Sequence, residues 1–187
     1  MSDEDIKIAD LDSIKSLSKR NKQKNCSAHE EYDRENAKGN TLKAKALGYE
    51  LADDIIKNLD RFTAGSEETE NSEISAQRGV LMVFAATVVI ENKIYSSVVS
   101  RIAENSFNER LESAAPWLYK AVGDSGAFSF YYLAYRRGTE VERRIGQTFA
   151  MLCSHDGDPI YQELGEALYC WFFSVVKKAA EECGIIK

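Results

Sequence analysis

Proline is nearly absent from this sequence, which has only two in 187 residues. Because proline interrupts helices, its scarcity, together with abundant Ala, Leu, Glu and Lys, favours a helical fold. The hydrophobic content of 44% is enough for a sizeable core. A chain of this length is expected to form one domain.

Long apolar runs are missing as well. The longest extends from Val80 to Ile90, which is too short to span a bilayer. Residues 1–13 are acidic and lack the apolar stretch of a secretory signal. Both absences predict a cytoplasmic protein without a membrane partner.

Cysteine and histidine are sparse. The four cysteines are scattered in a chain without an export signal, which favours reduced thiols. Each of the two histidines closely follows a cysteine, in the pairs Cys26 with His29 and Cys153 with His155. If the pairs met, they would form a Cys₂His₂ set for Zn²⁺, with Asp156 or Asp158 as support. The spacing is not that of a zinc knuckle, so no metal site is predicted, and a metal-binding protein stays an alternative.

Recognisable catalytic motifs are also lacking. No G-x-S-x-G elbow, Walker loop, H-E-x-x-H or glycine-rich dinucleotide pattern occurs. Glu163 and Glu166 lie one helical turn apart, but neither begins the E-x-x-H pair of a di-iron bundle. We therefore expect a protein that is not an enzyme and has no cofactor.

Charge is distributed unevenly along the chain. Residues 1–75 contain 12 Lys and Arg against 17 Asp and Glu, whereas residues 76–187 contain 12 against 13. Residues 20–40 have almost no apolar content, which is typical of a linker or an exposed segment. The sequence therefore predicts an acidic extension over residues 1–40, poorly ordered or partly helical, and a helical bundle domain over residues 41–187.

Apolar residues at spacings of three and four predict a series of helices. The predicted segments are 41–64, 73–104, 108–122, a helix that ends at 138, 139–153 and 158–184. Pro116 either starts a new helix or kinks an existing one. Together these segments predict an all-α fold, a single bundle of about six or seven helices.

Three helix starts are predicted from capping residues. Asp124 or Ser125 would cap the helix that ends at residue 138. Thr139 opens a T-x-x-E capping box, and Asp158 is followed by proline at the first helical position.

One stretch, residues 126–144, combines five aromatic residues with four arginines. The phenylalanines are expected in the core, whereas Tyr132 or Tyr135 could stack a base. The arginines flank one turn, so they could form a single positive patch that binds phosphate oxygens. The alternative is that they complement helix dipoles and pair with Glu140 and Glu142.

The order of three motifs carries a family resemblance. Gln77-Arg78 opens a long helix, with Gly79 where the family has alanine. Residues 114–138 contain proline, a short helix, a glycine turn and an aromatic helix with a basic end. Residues 161–179 contain Tyr, Glu-Ala-Leu, Trp, two Lys and Ala. Over residues 77–187 this order resembles the small helical subunit of type III-B CRISPR effector complexes, the Cmr-module small subunit.

The resemblance implies a non-catalytic subunit of an RNA-guided ribonucleoprotein. Its partners would be guide RNA, target nucleic acid, other effector subunits and copies of itself, and it would contact the RNA backbone without reading sequence. Arg78 and Arg101 are secondary candidates for such contacts, and Lys177 and Lys178 could instead complement a helix dipole. The main candidates are Arg136, Arg137, Arg143, Arg144, Lys177 and Lys178.

A second hypothesis involves no RNA. A helical adaptor would bind another protein through an exposed aromatic stripe. The two hypotheses differ in salt dependence, because phosphate contacts weaken as salt rises and a dry protein interface does not. The net charge of -6 argues against tight binding of free RNA by the isolated chain.

Overall fold

This computed structural model describes residues 27–63, 69–124 and 126–186, which form eight helices. In those ranges there is no strand, and an isolated antiparallel bridge joins Ile94 to Ile186. The predicted all-α bundle is confirmed, with more helices than the six or seven expected. In chain order the helices are α1 (27–37), α2 (Asn40–Thr63), α3 (Thr69–Lys93), α4 (Ser97–Ala114), α5 (Pro116–Asp124), α6 (Ala127–Arg136), α7 (Val141–Leu152) and α8 (Pro159–Glu182).

Helix α3 forms the centre of the bundle. From Val80 to Ile90 every residue is buried except the half-buried Thr87, and α2, α4, α5, α6, α7 and α8 all pack against this helix. A central helix needs an apolar surface on all sides. The stretch Ile74–Lys93 is also long and apolar enough to cross a membrane, but 67% of its most apolar window is buried inside the protein, as in a core helix.

Two close helix pairs flank this centre, α2 with α4 and α7 with α8. Gly48 on α2 faces the backbone of Phe107 on α4, and Gly146 on α7 faces the backbone of Gln162 on α8. A Cβ atom at either glycine would lie less than 3.0 Å from the facing backbone. The absence of a side chain at these two positions therefore permits both close contacts.

The single helix predicted over residues 73–104 is wrong, because the chain breaks between α3 and α4. Ser96 caps α4: its Oγ accepts a hydrogen bond from the Val99 N–H at 3.3 Å and donates to Glu31 Oε1 at 2.7 Å. The backbone N–H of Tyr95 donates to the carbonyl of Ile185 at 3.2 Å. Because these hydrogen-bond partners are remote in sequence, the local spacing of apolar residues does not reveal that the helix ends before Ser96.

Proline starts a helix in both places where it occurs. Pro116 begins α5, so the predicted helix over residues 108–122 is wrong and the alternative of a new start is confirmed. Pro159 begins α8, and Asp158 Oδ1 accepts from the Ile160 N–H at 2.8 Å, as predicted for this cap. Both starts have the residue order that favours a first helical turn.

The other two predicted caps differ from the structure. Helix α6 is preceded by Gly126, which has a φ of 65°, and no side chain caps it; Ser125 lies outside the described residues. Helix α7 is preceded by Glu140 with a φ of 50°, again without a side-chain cap, so the capping box expected at Thr139 is wrong. Instead of a capping side chain, a residue with left-handed backbone conformation directly precedes each of these two helices.

Helix α1 is joined to the bundle through a buried carboxylate. Glu35 is 2% exposed, and its Oε2 accepts hydrogen bonds from Tyr95 Oη and, at 2.8 Å, from Asn40 Nδ2. These hydrogen bonds, that of Tyr95 first, lower the pKa of Glu35 to about 2. Residues 27–37 are therefore a helix anchored through Glu35, and most of its other residues are exposed, as the sequence predicts for this segment.

Candidate functional site

A cleft of about 370 Å³ lies between α6 and α7. Each helix contributes residues at positions i, i+3, i+4 and i+7, the spacing that places side chains on one helical face. The cleft therefore forms where these two faces meet, and Asp156 closes it from the turn after α7. Its lining residues are Phe130, Leu133 and Ala134 from α6, Arg137 directly after α6, and Arg144, Gln147, Thr148 and Met151 from α7.

The two ends of the cleft differ in chemistry. Arg137 and Arg144 are the lining residues next to the turn that connects the helices, whereas Phe130 and Met151 lie seven residues away along each helix. At 1.5 Å per residue this separates the two ends by about 10 Å. One end is therefore cationic, and the other combines apolar side chains with Asp156 from the turn after α7.

Local hydrogen bonds orient Arg144. Its Nε–H donates to the carbonyl of Thr139 at 2.9 Å, and the Thr148 hydroxyl donates to the carbonyl of Arg144 at 2.9 Å. A guanidinium has five N–H donors, so four remain for a ligand. Among the ion pairs of the described residues, none involves Arg137 or Arg144.

The other four predicted basic residues do not line this cleft. Arg136 lies near Tyr132. The hydroxyl of Tyr132 donates a hydrogen bond to Glu91, which raises the pKa of Tyr132 to about 12, and the positive charge of Arg136 opposes this rise. The remaining three each face a carboxylate three or four residues away, in exposed pairs worth about 0–1 kcal/mol each. These pairs are Arg143 with Glu140 at 3.6 Å, Lys177 with Glu181 at 3.6 Å and Lys178 with Glu182 at 3.8 Å.

Of the six predicted basic residues, the α6–α7 cleft contains two. For Arg143 the predicted alternative of pairing with Glu140 is the one observed. Lys177 and Lys178 lie in the last two turns of α8, where a cation complements the helix dipole. Only the pair Arg137 and Arg144 is brought together in one described cleft.

The aromatic residue in the cleft is not one of those expected there. The rings of Tyr132 and Tyr135 pack against Phe84 in the core, with centroid distances of 5.8 and 6.2 Å. Phe128 also packs on this core, as predicted. Phe130 is 49% exposed and lines the cleft, so the core assignment is wrong for this phenylalanine.

The cysteine and histidine pairs do not form a described metal site. Cys153 is buried, and the ring of His155 stacks on Tyr161 at a centroid distance of 3.7 Å. Cys26 lies outside the described residues, and within them no group of three or more His, Cys, Asp or Glu side chains could hold a metal ion. Asp156, considered above as a support for such a site, lines the α6–α7 cleft instead.

The secondary candidates lie elsewhere. Arg101 lines a cleft of about 340 Å³ together with Glu91 and Glu104. Burial, followed by the charge of Glu91, raises the pKa of Glu104. Arg78 is half-buried on α3, and burial lowers its pKa. Neither arginine adds to the α6–α7 cleft.

Comparison of this chain with protein-family models, with curated proteins and with solved structures found no match. The resemblance of residues 77–187 to the Cmr-module small subunit therefore stays a prediction from sequence. The geometry of the cleft supplies the structural argument for function.

Proposed function

We propose that this chain is a non-catalytic helical subunit of a ribonucleoprotein that contacts the RNA backbone through the α6–α7 cleft. The observation that supports this proposal is the pairing of Arg137 with Arg144 in one cleft, beside the exposed ring of Phe130. A type III CRISPR complex is the assembly that the sequence resemblance implies. In that setting the partners are guide and target RNA, other effector subunits and copies of this chain.

The chemistry of the cleft suits a phosphate next to an unstacked base. Guanidinium groups bind phosphate oxygens through paired N–H donors, and Arg144 is held ready by its hydrogen bond to Thr139. An aromatic face such as that of Phe130 stabilises a stacked base by about 1–3 kcal/mol. A single RNA strand offers both groups at once, whereas a duplex keeps its bases stacked inside.

Affinity in the isolated chain is expected to be weak. A single phosphate held by two arginines forms a small electrostatic contact, and the net charge of -6 repels a polyanion. We expect a dissociation constant of about 10⁻⁴ M at physiological salt, at the weak end of non-specific binding. Neighbouring subunits would then hold the chain against RNA in the assembly.

Salt dependence of RNA binding tests this proposal. Fluorescence anisotropy with a short, unstructured, labelled RNA gives the affinity of the full chain over a range of salt concentrations. One phosphate contact predicts a slope of about -0.7 in log affinity against log salt. The double variant Arg137→Ala and Arg144→Ala should lose most of this slope.

A matched control separates local contacts from overall charge. The double variant Lys177→Ala and Lys178→Ala also removes two positive charges, but it leaves the cleft intact because neither lysine lines it. It should keep the slope of the unmodified chain. Equal losses in both double variants would show that diffuse charge binds the RNA, and the proposal would then be wrong.

A protein adaptor is the second candidate because the same cleft exposes apolar side chains. Leu133 is 61% exposed and Met151 is 40% exposed, close to Phe130. Binding of a protein partner would favour this function over RNA binding if its affinity did not change with salt concentration. The binding should be lost with Leu133→Ser. It should persist in the double variant Arg137→Ala and Arg144→Ala.

A further inference from the structure

Asp156 introduces a carboxylate into a cleft whose other charged groups are two guanidinium groups. It lines the same cleft as Arg137 and Arg144 and is exposed. Among the ion pairs of the described chain, none joins Asp156 to either arginine. A negative group here repels phosphate, so a ligand that fits the whole cleft must present hydrogen-bond donors to it.

The turn that carries Asp156 is fixed on both sides. The N–H of His155 donates to the carbonyl of Ala150 at 2.9 Å, and the N–H of Asp158 donates to the carbonyl of His155 at 3.1 Å. The ring of His155 also stacks on Tyr161. The backbone of Asp156 is thus held in place before any ligand arrives.

The cleft therefore offers three different groups to one ligand. Arg137 and Arg144 are donors only, the carboxylate of Asp156 is an acceptor only, and Phe130 contributes an aromatic ring to the lining. A complementary ligand has an anionic group, a flat ring and a donor edge. A nucleoside monophosphate has this composition, and a cleft of about 370 Å³ is in the size range of small-molecule sites.

The acceptor character of Asp156 distinguishes among the bases. Guanine carries two adjacent donors on its Watson–Crick edge, N1–H and the N2 amino group, which match the two oxygens of a carboxylate. Adenine and cytosine each place an acceptor nitrogen beside their amino group. Uracil flanks its single N–H with two carbonyl oxygens. These acceptors would face the carboxylate and be repelled.

We infer that the α6–α7 cleft binds a guanine nucleotide, with its phosphate on Arg137 and Arg144, its ring on Phe130 and its base edge on Asp156. This inference rests on the proposed RNA contact, and it adds a base preference to a contact that the family resemblance implies to be independent of sequence. A guanine in a single RNA strand would be selected at this one position.

Titration of the full chain with mononucleotides tests the inference. Binding of GMP, AMP and IMP is followed by two-dimensional NMR. Because hydrogen bonds to a charged group are strong, GMP should bind about tenfold more tightly than AMP. IMP, which lacks the N2 amino group, should lie between them. Asp156→Asn should bring the affinities for GMP and AMP to within about twofold.

Control variants distinguish this inference from the proposed function. Glu112→Gln removes an exposed carboxylate from α4, which does not pack on α6 or α7, and should leave the preference unchanged. Equal binding of GMP and AMP, lost in the double variant Arg137→Ala and Arg144→Ala, would overturn the guanine inference and leave the phosphate contact standing. If no mononucleotide shifts the cleft resonances up to millimolar concentrations, the guanine inference is wrong, and the salt dependence of RNA binding decides the proposed phosphate contact separately.

Discussion

At the scale of single residues, the hydroxyl of Tyr131 is buried in the core without a hydrogen-bond partner among the described residues. A buried unsatisfied hydroxyl costs about 1–3 kcal/mol. We therefore expect Tyr131→Phe to raise the free energy of unfolding by about 1 kcal/mol. Urea denaturation followed by circular dichroism measures this change.

The same substitution at Tyr95 provides a control of opposite sign. Tyr95 donates its hydroxyl hydrogen to the carboxylate of Glu35, and a hydrogen bond to a charged group contributes about 1.5–3 kcal/mol. Tyr95→Phe should therefore destabilise the protein. A loss of stability in both variants would show that the Tyr131 hydroxyl has a favourable interaction.

The lowered pKa of Glu35 makes the free energy of unfolding depend on pH. Its pKa is lowered from 4.5 to about 2 in the folded protein, so the unfolded state takes up a proton first as the pH falls. The stabilisation is therefore complete above about pH 4.5 and is lost as the pH falls toward 2. Glu35→Gln should be less stable at neutral pH, and by about pH 3 the gap to the unmodified chain should shrink by on the order of 2 kcal/mol.

Urea unfolding at both pH values measures this gap. Glu112→Gln is the matched control, since Glu112 is exposed on α4 and its substitution also removes one carboxylate. The gap for this control should stay nearly constant. Parallel pH profiles for the unmodified chain and Glu35→Gln would contradict the role assigned to Glu35.

At the scale of helices, two glycines should respond in opposite ways to one substitution. Gly146→Ala places a methyl group against the backbone of Gln162, and overpacking of this kind costs about 1–3 kcal/mol. Gly123 lies on α5, and a Cβ atom there would meet no neighbouring element of the described chain within 4 Å, so alanine at this position should stabilise by about 0.5 kcal/mol. Thermal unfolding compares the two, and a neutral Gly146→Ala would show that α7 and α8 can separate without cost.

Sequence periodicity predicted most helices because their buried faces repeat every three or four residues. It missed the break at Ser96, since this cap is secured by Glu31, 65 residues away. It also missed the left-handed turn at Glu140, which no side-chain signal accompanies. Helix existence is encoded locally, whereas these two boundaries depend on contacts across the bundle or on backbone geometry.

The cleft could have been predicted in part. The residues Phe130, Leu133 and Arg137 are spaced by three and four, next to the buried stripe of Ala127, Tyr131 and Ala134, and Ala134 belongs to both sets. A second apolar stripe on one helix is the signal that an exposed groove leaves in sequence. The position of Asp156 could not be predicted this way, because it depends on how the turn after α7 folds back toward α6.

At the scale of the whole molecule, the clefts of the described chain differ in the sign of their net charge. The α6–α7 cleft contains Arg137 and Arg144, whereas two clefts bordering α3 and α4 share Glu91 and Glu104. A polyanion is attracted to the first region and repelled by the second. The net charge of -6 therefore does not describe the field at the proposed RNA contact, and it restricts that contact to one part of the surface.

The extent of the folding unit is the remaining question at this scale. The sequence predicts that the bundle domain begins at residue 41, but Glu35 on α1 is buried and bonded to Asn40 and Tyr95. A chain of residues 41–187 loses these bonds and exposes the surface that α1 covers. We expect its urea midpoint to fall relative to a chain of residues 27–187, which keeps them. Both chains lack residues 1–26, so the difference between their urea midpoints measures the contribution of residues 27–40.

Equal urea midpoints would mean that α1 does not stabilise the bundle and that the folded domain begins at residue 41, as predicted. A lower midpoint for residues 41–187, with a single transition for residues 27–187, would make α1 part of one cooperative bundle.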